Sequence, residues 1–534
     1  MLKPLKPPKM SSISYVAYPR PDFVRPNNQN WKSLNGQWDF VFDDENVGLC
    51  KGWHLDGLPE EVFLHDAHVI SPKSQYAEAA KIAGQIGAQP ETCGKTNDAR
   101  GPEAKTHPKR KITVPYVFQS PASGIHDRGA HEVFWYERLI SDIRSAEEAT
   151  NGHRLLLRFG AVDYEATVWV NGLYVGEHCG GHVPFDVDIT DAIKASRASR
   201  GQELRLTIRV RDSPHDLAQP RGKQYWGPEP ENIFYTPSSG IWQSVWLESV
   251  PRVRLADSRH GTVLRSNDID TGILHAKIGT LGQTAGQGYR IELEVSFAEH
   301  SFRNKVEELS ESNYVNFDID LHVPQEVLGS LRNGPLKEAP LDDRRCWRDG
   351  LALWSPEHPQ LYDIILKLVN IQTGELLDEV HTYTGMRSLN WNNKDGSFRL
   401  NEHPYFQALV LDQGFWPDTG ITPPSPEALK DDIVLSKSMG FNGCRKHQKV
   451  EDPIFLYWAD KLGYIVWGEM ANAYKFDDEY VSRFNQEWTD AVKRDINHPC
   501  IFAWTPVNES WGYPSLKDSV EQRIHIRSLY YMTK

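Results

Sequence analysis

The sequence contains few cysteines and no pattern among them. The six residues, spread over 534 positions without a CxxC pair, are Cys50, Cys93, Cys179, Cys346, Cys444 and Cys500. Zinc sites and the disulfide frameworks of small secreted domains both depend on characteristic cysteine spacings, so neither is predicted. Scattered free thiols are typical of proteins in a reducing compartment.

Long apolar stretches and excess positive charge are also missing. No segment approaches the roughly 18 apolar residues of a transmembrane helix, and the first nine residues, MLKPLKPPK, lack the apolar region of a signal peptide. These absences predict a cytoplasmic protein that does not cross a membrane. The net charge of −13 and the isoelectric point near 5.9 argue against nucleic acid and anionic membrane surfaces as partners.

The length and the pattern of strands predict several domains. A chain of 534 residues is too long for one hydrophobic core. Residues 1–250 carry short alternating strands, such as 165–170 and 173–178, and the pair Asn171-Gly172 between these two is a hairpin signal. Such a succession of strands predicts a β-sandwich. A segment at about 71–110, rich in Ala, Gly, Lys and Gln, is interpreted as an insertion or a mispredicted segment that is largely a mobile loop.

The pattern changes along the second half of the chain. Residues 251–388 continue the strands and predict a second β-sandwich. From residue 389 onward, strands alternate with helices, as in βαβ units. Strands are expected at 405–411, 441–445, 464–467 and 501–504, and helices at about 426–439, 452–462 and 481–497. The predicted fold class is therefore multidomain, with β domains followed by an α/β domain.

The most informative segment runs from Asn497 to Trp511. Its apolar stretch 501–504 is expected to be a buried strand, and the strand is followed by the pair Asn508-Glu509. A carboxylate beyond the end of a parallel strand is where barrel enzymes place their chemistry. The His-Pro pair at 498–499, the tryptophan at 504 and the Asn-Glu pair resemble, in this spacing, the acid/base motif of glycoside hydrolase family 2.

The resemblance extends over about residues 31–511 and implies both fold and activity. The implied fold is a jelly-roll, sugar-binding-like β-sandwich over 1–250, an immunoglobulin-like β-sandwich over 251–388, and a partial (β/α)8 TIM barrel over 389–534 that holds strands one to four. The implied activity is that of a retaining β-glycosidase, which hydrolyses O-glycosidic bonds in oligosaccharides or glycoconjugates. Among the family's β-galactosidases, β-glucuronidases and β-mannosidases, a β-galactosidase-like activity is favoured.

The resemblance also assigns roles near the acid/base motif. It makes Glu509 the proton donor and Asn508 the residue that holds the sugar 2-hydroxyl. It makes Arg445 the residue that orients the nucleophile and brings His447 near the sugar, although Lys446, His447 and Gln448 depart from the family's commonest pattern. Three cationic side chains in succession are otherwise most often a solvated edge.

Two further residues at the end of the first barrel strand are candidates. Asp412 is expected to bind sugar hydroxyls, and Trp416 is expected either to stack on a sugar or to pack within its loop. Family members that use magnesium take ligands from the loop after the third strand, where this chain has Ala473, Tyr474 and Lys475. No metal and no cofactor are therefore expected.

The second catalytic carboxylate is not identified. A retaining glycosidase needs a nucleophile about 5–5.5 Å from the acid/base, and in the family it lies on a later strand, whereas 25 residues follow Glu509. We therefore expect a C-terminally truncated chain that is inactive alone, with Val410, Val466 and Phe502 short of packing partners. Glu469 matches neither catalytic motif. The alternative is a non-catalytic carbohydrate-binding protein, and the sequence does not predict the oligomeric state.

Overall fold

The computed structural model describes residues 18–26, 31–64, 105–196, 202–225, 230–310, 312–332, 343–391 and 394–534. The first part of the chain forms two antiparallel sheets that face each other across one core. The strand order of the smaller sheet is Trp31–Ser33, Val245–Val250, Arg154–Phe159 and Phe185–Asp188. The strand order of the larger sheet is Leu173–Cys179, Glu165–Val170, Leu204–Arg211, Val133–Ile140, Gly36–Phe42 and Arg110–Val114.

Local sequence explains the hairpin in the larger sheet. Asn171 and Gly172 join two of its strands with φ angles of 47° and 79°, the left-handed conformations that a two-residue hairpin turn requires. The short helices of this part are Trp53–Asp56, Ala146–Thr150 and Thr190–Ala195. Two further strand pairs join Glu61–Leu64 to Lys105–Pro108 and Val162–Asp163 to Gly240–Ile241.

The interpretation of residues 71–110 as one loop is wrong at its C-terminal end. Lys105–Pro108 is a strand that pairs with Glu61–Leu64, and Arg110–Val114 is an edge strand of the larger sheet. The pairing supplies the hydrogen bonds that the backbone at 105–108 needs. The rest of the predicted insertion lies outside the described residues.

The second part of the chain is also built mainly from two antiparallel sheets, and Trp347–Arg348 pairs with Leu351–Ala352 in a third, two-stranded sheet. In the first, Ile273–Leu281 is bordered by Arg254–Leu255, Val263–Asp268 and Tyr314–Asp320, and the second has the order His300–Glu308, Tyr289–Phe297, Tyr362–Asn370 and Leu376–Thr384. Tyr289–Phe297 alternates strictly between buried and half-buried residues, as expected for a strand with one face on the core. The helix Gln325–Arg332 accompanies these sheets. The multidomain β architecture predicted from the sequence is confirmed.

The last part of the chain contains a four-stranded parallel sheet with alternating helices. Its elements are β1 (Leu409–Asp412), α1 (Pro426–Ser438), β2 (Gly443–Lys446), α2 (Pro453–Leu462), β3 (Ile465–Glu469), α3 (Asp478–Asp495), β4 (Ile501–Thr505) and α4 (Val520–Thr533). The strands pair in the order β1-β2-β3-β4. A small antiparallel sheet of Leu389–Asn390, Arg399–Leu400 and His403–Pro404 precedes them.

Capping residues fix the ends of these helices. Ser425, Asp452, Asp477 and Ser519 accept hydrogen bonds from backbone amides in the first turns of α1, α2, α3 and α4. Gly463 ends α2 with φ 70°, the left-handed conformation that glycine adopts without strain. These local caps define the N-terminal ends of the four helices and the C-terminal end of α2.

The expectation that the parallel sheet leaves its apolar residues without packing is wrong for two of three residues. Val466 and Phe502 are 1% and 4% exposed, whereas Val410 is half-buried. Phe502 packs against Trp354 from the second part of the chain, with ring centroids 5.9 Å apart. The second part therefore covers apolar surface at this sheet.

Contacts between the three parts are built from buried polar groups. Arg25 forms ion pairs with Glu248 of the first part and Asp378 of the second. The amide of His182 donates to Glu487 of α3 at 3.1 Å. Within the described ranges, no helix combines the length and the apolar character that crossing a membrane requires.

Candidate functional site

The candidate residues lie where the four parallel strands end. Asp412 and Lys446 are paired at the ends of β1 and β2, Glu469 ends β3, and Asn508 follows β4. Because the carboxyl ends of parallel strands meet at one edge of the sheet, side chains that are distant in sequence come together there. The ends of the four parallel strands thus form one edge of the sheet that carries both cations and carboxylates.

Arg445 connects three of these strands. Its Nε donates to Oε2 of Glu469 at 2.7 Å, and its Nη2 donates to Oδ1 of Asn508 at 2.5 Å. Glu469 is 1% exposed and its Oε1 also accepts the amide of Gln448 at 2.9 Å. Both carboxylate oxygens are occupied, so Glu469 holds the guanidinium in one orientation and the guanidinium in turn holds Asn508.

Asn508 and Glu509 differ in their accessibility. Asn508 is 5% exposed, and its Nδ2 is buried without a hydrogen-bond acceptor. Glu509 is exposed. Glu509 and Ser510 have φ angles of 49° and 63°, a left-handed conformation that is unfavourable for residues other than glycine. Such strain is concentrated at functional sites, where the surroundings impose it.

A second network of ion pairs includes the last residues of β1 and β2. Lys446 pairs with Asp412 and its Nζ lies 2.8 Å from Oε2 of Glu451, while Lys449 lies 3.2 Å from Oε1 of the same carboxylate. Although burial alone would raise it, the two ammonium groups bring the pKa of Glu451 down to about 2. Lys446 and Lys449 are 2% and 1% exposed. Because Lys446 and His447 are both buried, the interpretation of the three successive cations at 445–447 as a solvated edge is wrong.

The structure brings only some of the predicted residues into direct contact. His447 is 6% exposed and its Nδ1 lies 3.2 Å from Oε1 of Glu469. Asp412 is occupied by Lys446 and by the amide of Gly414. Trp416 is half-buried, and its backbone pairs with Gly420 in a tight loop. Arg445 and Asn508 are thus joined directly, and Trp416 stands apart from their network.

Lys223 is a residue near the site that the sequence did not indicate. It comes from the first part of the chain, is 6% exposed, and its Nζ lies 5.0 Å from the ring centroid of Trp511. Burial lowers the pKa of Lys223, and the negative charges of Glu509 and Glu469 oppose this. The flanking Gly222 was the available signal, because a glycine beside a basic residue permits close backbone approach.

One buried group of potential metal ligands occurs elsewhere in the described residues. Asp460, His498 and Cys500 lie together, and all three are buried. Asp460 accepts the hydroxyl of Tyr383 at 2.8 Å and the amide of Cys500 at 2.9 Å, and its Oδ2 lies 2.5 Å from Nδ1 of His498. These hydrogen bonds join α2 to the segment before β4, so the group has a structural explanation.

Comparison with known proteins gives two matching family models. The model described as "Glycosyl hydrolases family 2" matches residues 262–387, and the model described as "Glycosyl hydrolase 2 galactose-binding domain-like" matches residues 120–239. The matched regions lie in the first and second parts of the chain.

The curated relatives that the chain matches are named as β-galactosidases and β-glucuronidases. A β-galactosidase of Thermoanaerobacter pseudethanolicus is 27% identical over 383 residues, which are 71% of this chain and 45% of that protein. A β-glucuronidase of Canis lupus familiaris is 25% identical over 446 residues, which are 78% of this chain and 60% of that protein. The chain spans about half the length of the curated relatives that it matches.

Solved structures share the fold. A β-glucuronidase from Ruminococcus gnavus in complex with D-glucuronic acid has a TM-score of 0.64 and 17% identity, over 97% of this chain and 72% of that chain. Bacteroides uniformis β-glucuronidase 3 has a TM-score of 0.65 and 17% identity, over 95% of this chain and 54% of that chain. At this identity the similarity concerns the fold alone.

Proposed function

Because this chain belongs to glycoside hydrolase family 2, we propose that it carries the acid/base part of a retaining β-glycosidase. In this proposal residues 1–250 are a jelly roll, 251–388 are an immunoglobulin-like sandwich, and 389–534 are the first four βα units of a (β/α)8 barrel. The substrates are β-glycosides, and a β-galactosidase-like preference is favoured.

The observation that carries the proposal is the hydrogen bond between Arg445 and Asn508, supported by Glu469. It fixes the Oδ1 of Asn508, so the Nδ2 is the atom left to bind a substrate oxygen. We assign that atom to the sugar 2-hydroxyl. Hydrogen bonds to this hydroxyl strengthen as the oxocarbenium-like transition state forms.

Glu509 is the proposed proton donor. Protonated Glu509 would transfer its proton to the glycosidic oxygen as the bond to the anomeric carbon breaks, which converts a poor leaving group into a neutral alcohol. In the second half of the reaction the same carboxylate would remove a proton from water. The exposed position of Glu509 suits a group that exchanges protons with substrate and water.

The nucleophile is proposed to lie outside the described residues. Glu469 is the carboxylate at the end of β3, but both its oxygens are occupied by Arg445 and the amide of Gln448. Attack on the anomeric carbon would require Glu469 to break these contacts while it is 1% exposed. Glu469 therefore serves better as the residue that orients Arg445.

The test protein joins residues 1–534 to a segment of a family 2 enzyme that carries the nucleophile. The substitution made in it is Glu509→Gln. We expect hydrolysis of lactose to fall by about 10²–10⁴-fold, because its leaving group needs a proton, and hydrolysis of 2,4-dinitrophenyl β-galactoside to fall far less. Glu521→Gln, at the exposed start of α4, is the matched control and should change neither rate.

Equal losses on both substrates would contradict the assigned role of Glu509. The 534-residue chain itself should bind methyl β-galactoside and hydrolyse aryl galactosides negligibly. Robust turnover by that chain would mean that one of its own carboxylates, with Glu469 the first to test, is the nucleophile. Absence of binding and turnover in both proteins would contradict the proposed function as a whole.

A further inference from the structure

Residues 221–224 form a wedge between the first part of the chain and the parallel sheet. The amides of Arg221 and Gly222 donate to the carbonyl of Asn472, which follows β3, at 3.2 and 2.9 Å. The hydroxyl of Tyr474 donates to the carbonyl of Gly222. On the other side, the carbonyl of Lys223 accepts the amide of Tyr235 at 2.8 Å. The wedge is therefore tied to both parts of the chain.

Gly222 explains how the wedge approaches the sheet so closely. Its φ is +61°, and a Cβ atom at this position would lie 2.4 Å from the carbonyl oxygen of Gln448 and 3.1 Å from the Cβ of Ala471. Only glycine fits such a contact without displacement of the backbone. The backbone next to Lys223 is therefore in close contact with Gln448 and Ala471, which follow β2 and β3.

The side chain of Lys223 has an aromatic support but no ion pair. Its ammonium lies over Trp511, whose ring is packed against Tyr474 and Phe234 at centroid distances of 5.4 and 5.9 Å. Among the residues that the structure describes, no carboxylate oxygen lies within 4.0 Å of its Nζ. Glu509 and Glu469 are the negative charges that act on it from a longer distance.

The other cations of the site are already neutralised. Arg445 is paired with Glu469, and Lys446 and Lys449 share Glu451. Of the two carboxylates among the described residues that act on Lys223, Glu469 is already paired with Arg445, so Glu509 is the one left to balance its charge. If Glu509 is to act as a proton donor, it must be uncharged when substrate is bound, and the ammonium of Lys223 then faces the site without an anion nearby. A nearly buried, unneutralised cation is energetically costly.

We propose that Lys223 is a substrate-binding residue that takes an anionic substituent, a carboxylate or a sulfate group, of the glycoside. This inference rests on the proposed function. An anion at this position would neutralise Lys223 at the stage when Glu509 carries a proton. The selectivity for acidic glycosides would then come from the first part of the chain, outside the parallel sheet.

The test compares ligand affinities of the 534-residue chain by titration calorimetry. The probes are methyl β-D-glucuronide, D-galactose 6-sulfate and methyl β-D-galactoside, which carry a carboxylate, a sulfate and no charge. Lys223→Gln should weaken binding of at least one acidic probe by about tenfold or more, because it loses a charge-assisted hydrogen bond. Binding of the neutral galactoside should change less than about threefold.

The matched control is Lys430→Gln. Lys430 lies 4.3 Å from the ring centroid of Trp458 on the neighbouring helices α1 and α2, so the variant removes the same kind of contact without touching the site. It should leave all three affinities unchanged. Lys223→Arg should retain most of the preference for the acidic probe, because guanidinium keeps the charge and binds carboxylate and sulfate oxygens.

The outcomes separate this inference from the proposed function. Loss of affinity for only one acidic probe would identify its anion as the group that Lys223 binds. Equal losses of affinity for acidic and neutral probes in Lys223→Gln, or no loss for any probe, would overturn the assignment of Lys223. The proposed function would remain intact in that case, provided that the unmodified chain binds the galactoside. Absence of binding of all three probes to the unmodified chain would overturn both.

Discussion

Glu487 offers a test of how the parts of the chain are held together. It projects from α3, is 1% exposed, and accepts the amide of His182 from the first part of the chain at 3.1 Å. Burial raises the pKa of Glu487 to about 8 from an ordinary value of 4.5. We expect the isosteric substitution Glu487→Gln to keep the accepted hydrogen bond and to remove the titration.

The size of the effect follows from linkage between protonation and folding. Between pH 4.5 and about 8 the folded chain retains a proton on Glu487 that the unfolded chain has lost. The stabilising contribution of Glu487 is complete below pH 4.5 and is lost as pH rises through 8, with a slope of about −1.4 kcal/mol per pH unit. Over the whole window this amounts to on the order of 5 kcal/mol.

The assay is urea unfolding at several pH values between 5 and 8.5, followed by tryptophan fluorescence. Trp488 adjoins Glu487 in α3 and is buried, so its emission reports the transition that includes this helix. The free energy of unfolding should fall with pH in the unmodified chain and fall less steeply in Glu487→Gln. The variant should be the more stable protein at pH 8.5.

The control is Glu479→Gln on the same helix, where the carboxylate is largely exposed and pairs with Arg483. Exposed pairs contribute little to stability, so this variant should follow the unmodified chain at every pH. Identical pH slopes in the unmodified chain and in Glu487→Gln would refute the reasoning. That result would mean that Glu487 is ionised in the folded chain despite its burial.

Two further substitutions test the site's supports. Glu451→Gln should destabilise the chain by about 3–5 kcal/mol, because it leaves two buried ammonium groups without their shared carboxylate. It should also reduce the loss of stability as pH falls from 4.5 towards 2, the window over which Glu451 takes up its proton; acid unfolding followed by circular dichroism measures both effects, with exposed Glu427→Gln as the control. Gly222→Ala should destabilise the chain by more than Gly286→Ala, whose φ is +80° but whose Cβ would meet nothing within 4 Å. Equal losses of thermal stability in the two alanine variants would show that backbone strain alone, rather than the contact with Gln448, matters at Gly222.

Local patterns in the sequence predicted the parallel sheet well. The apolar spacing located β4 at 501–504, and the structure has Ile501–Thr505. Gly463 was expected to end α2 and does so in a left-handed conformation. These features depend on residues within one or two turns of each other, so a single sequence contains the information that they require.

The contacts that complete the site could not be predicted in this way. Glu487 and His182 are 305 residues apart in sequence, and Lys223 reaches Trp511 from a different sheet. The cationic run Arg445, Lys446 and His447 was interpreted as a solvated edge because its carboxylate partners, Glu469 and Glu451, are identified only by the fold. The packing of Phe502 was underestimated because Trp354 belongs to another part of the chain.

The wedge at residues 221–224 has a consequence for how specificity could be altered. The residues assigned to bond cleavage follow β4, whereas the cation assigned to substrate charge is attached to a separate sandwich by its own backbone hydrogen bonds. Bond cleavage and the preference for charged substrates would therefore be carried by different parts of the chain. Exchange of the wedge between relatives should transfer the charge preference without alteration of the machinery that cleaves the bond.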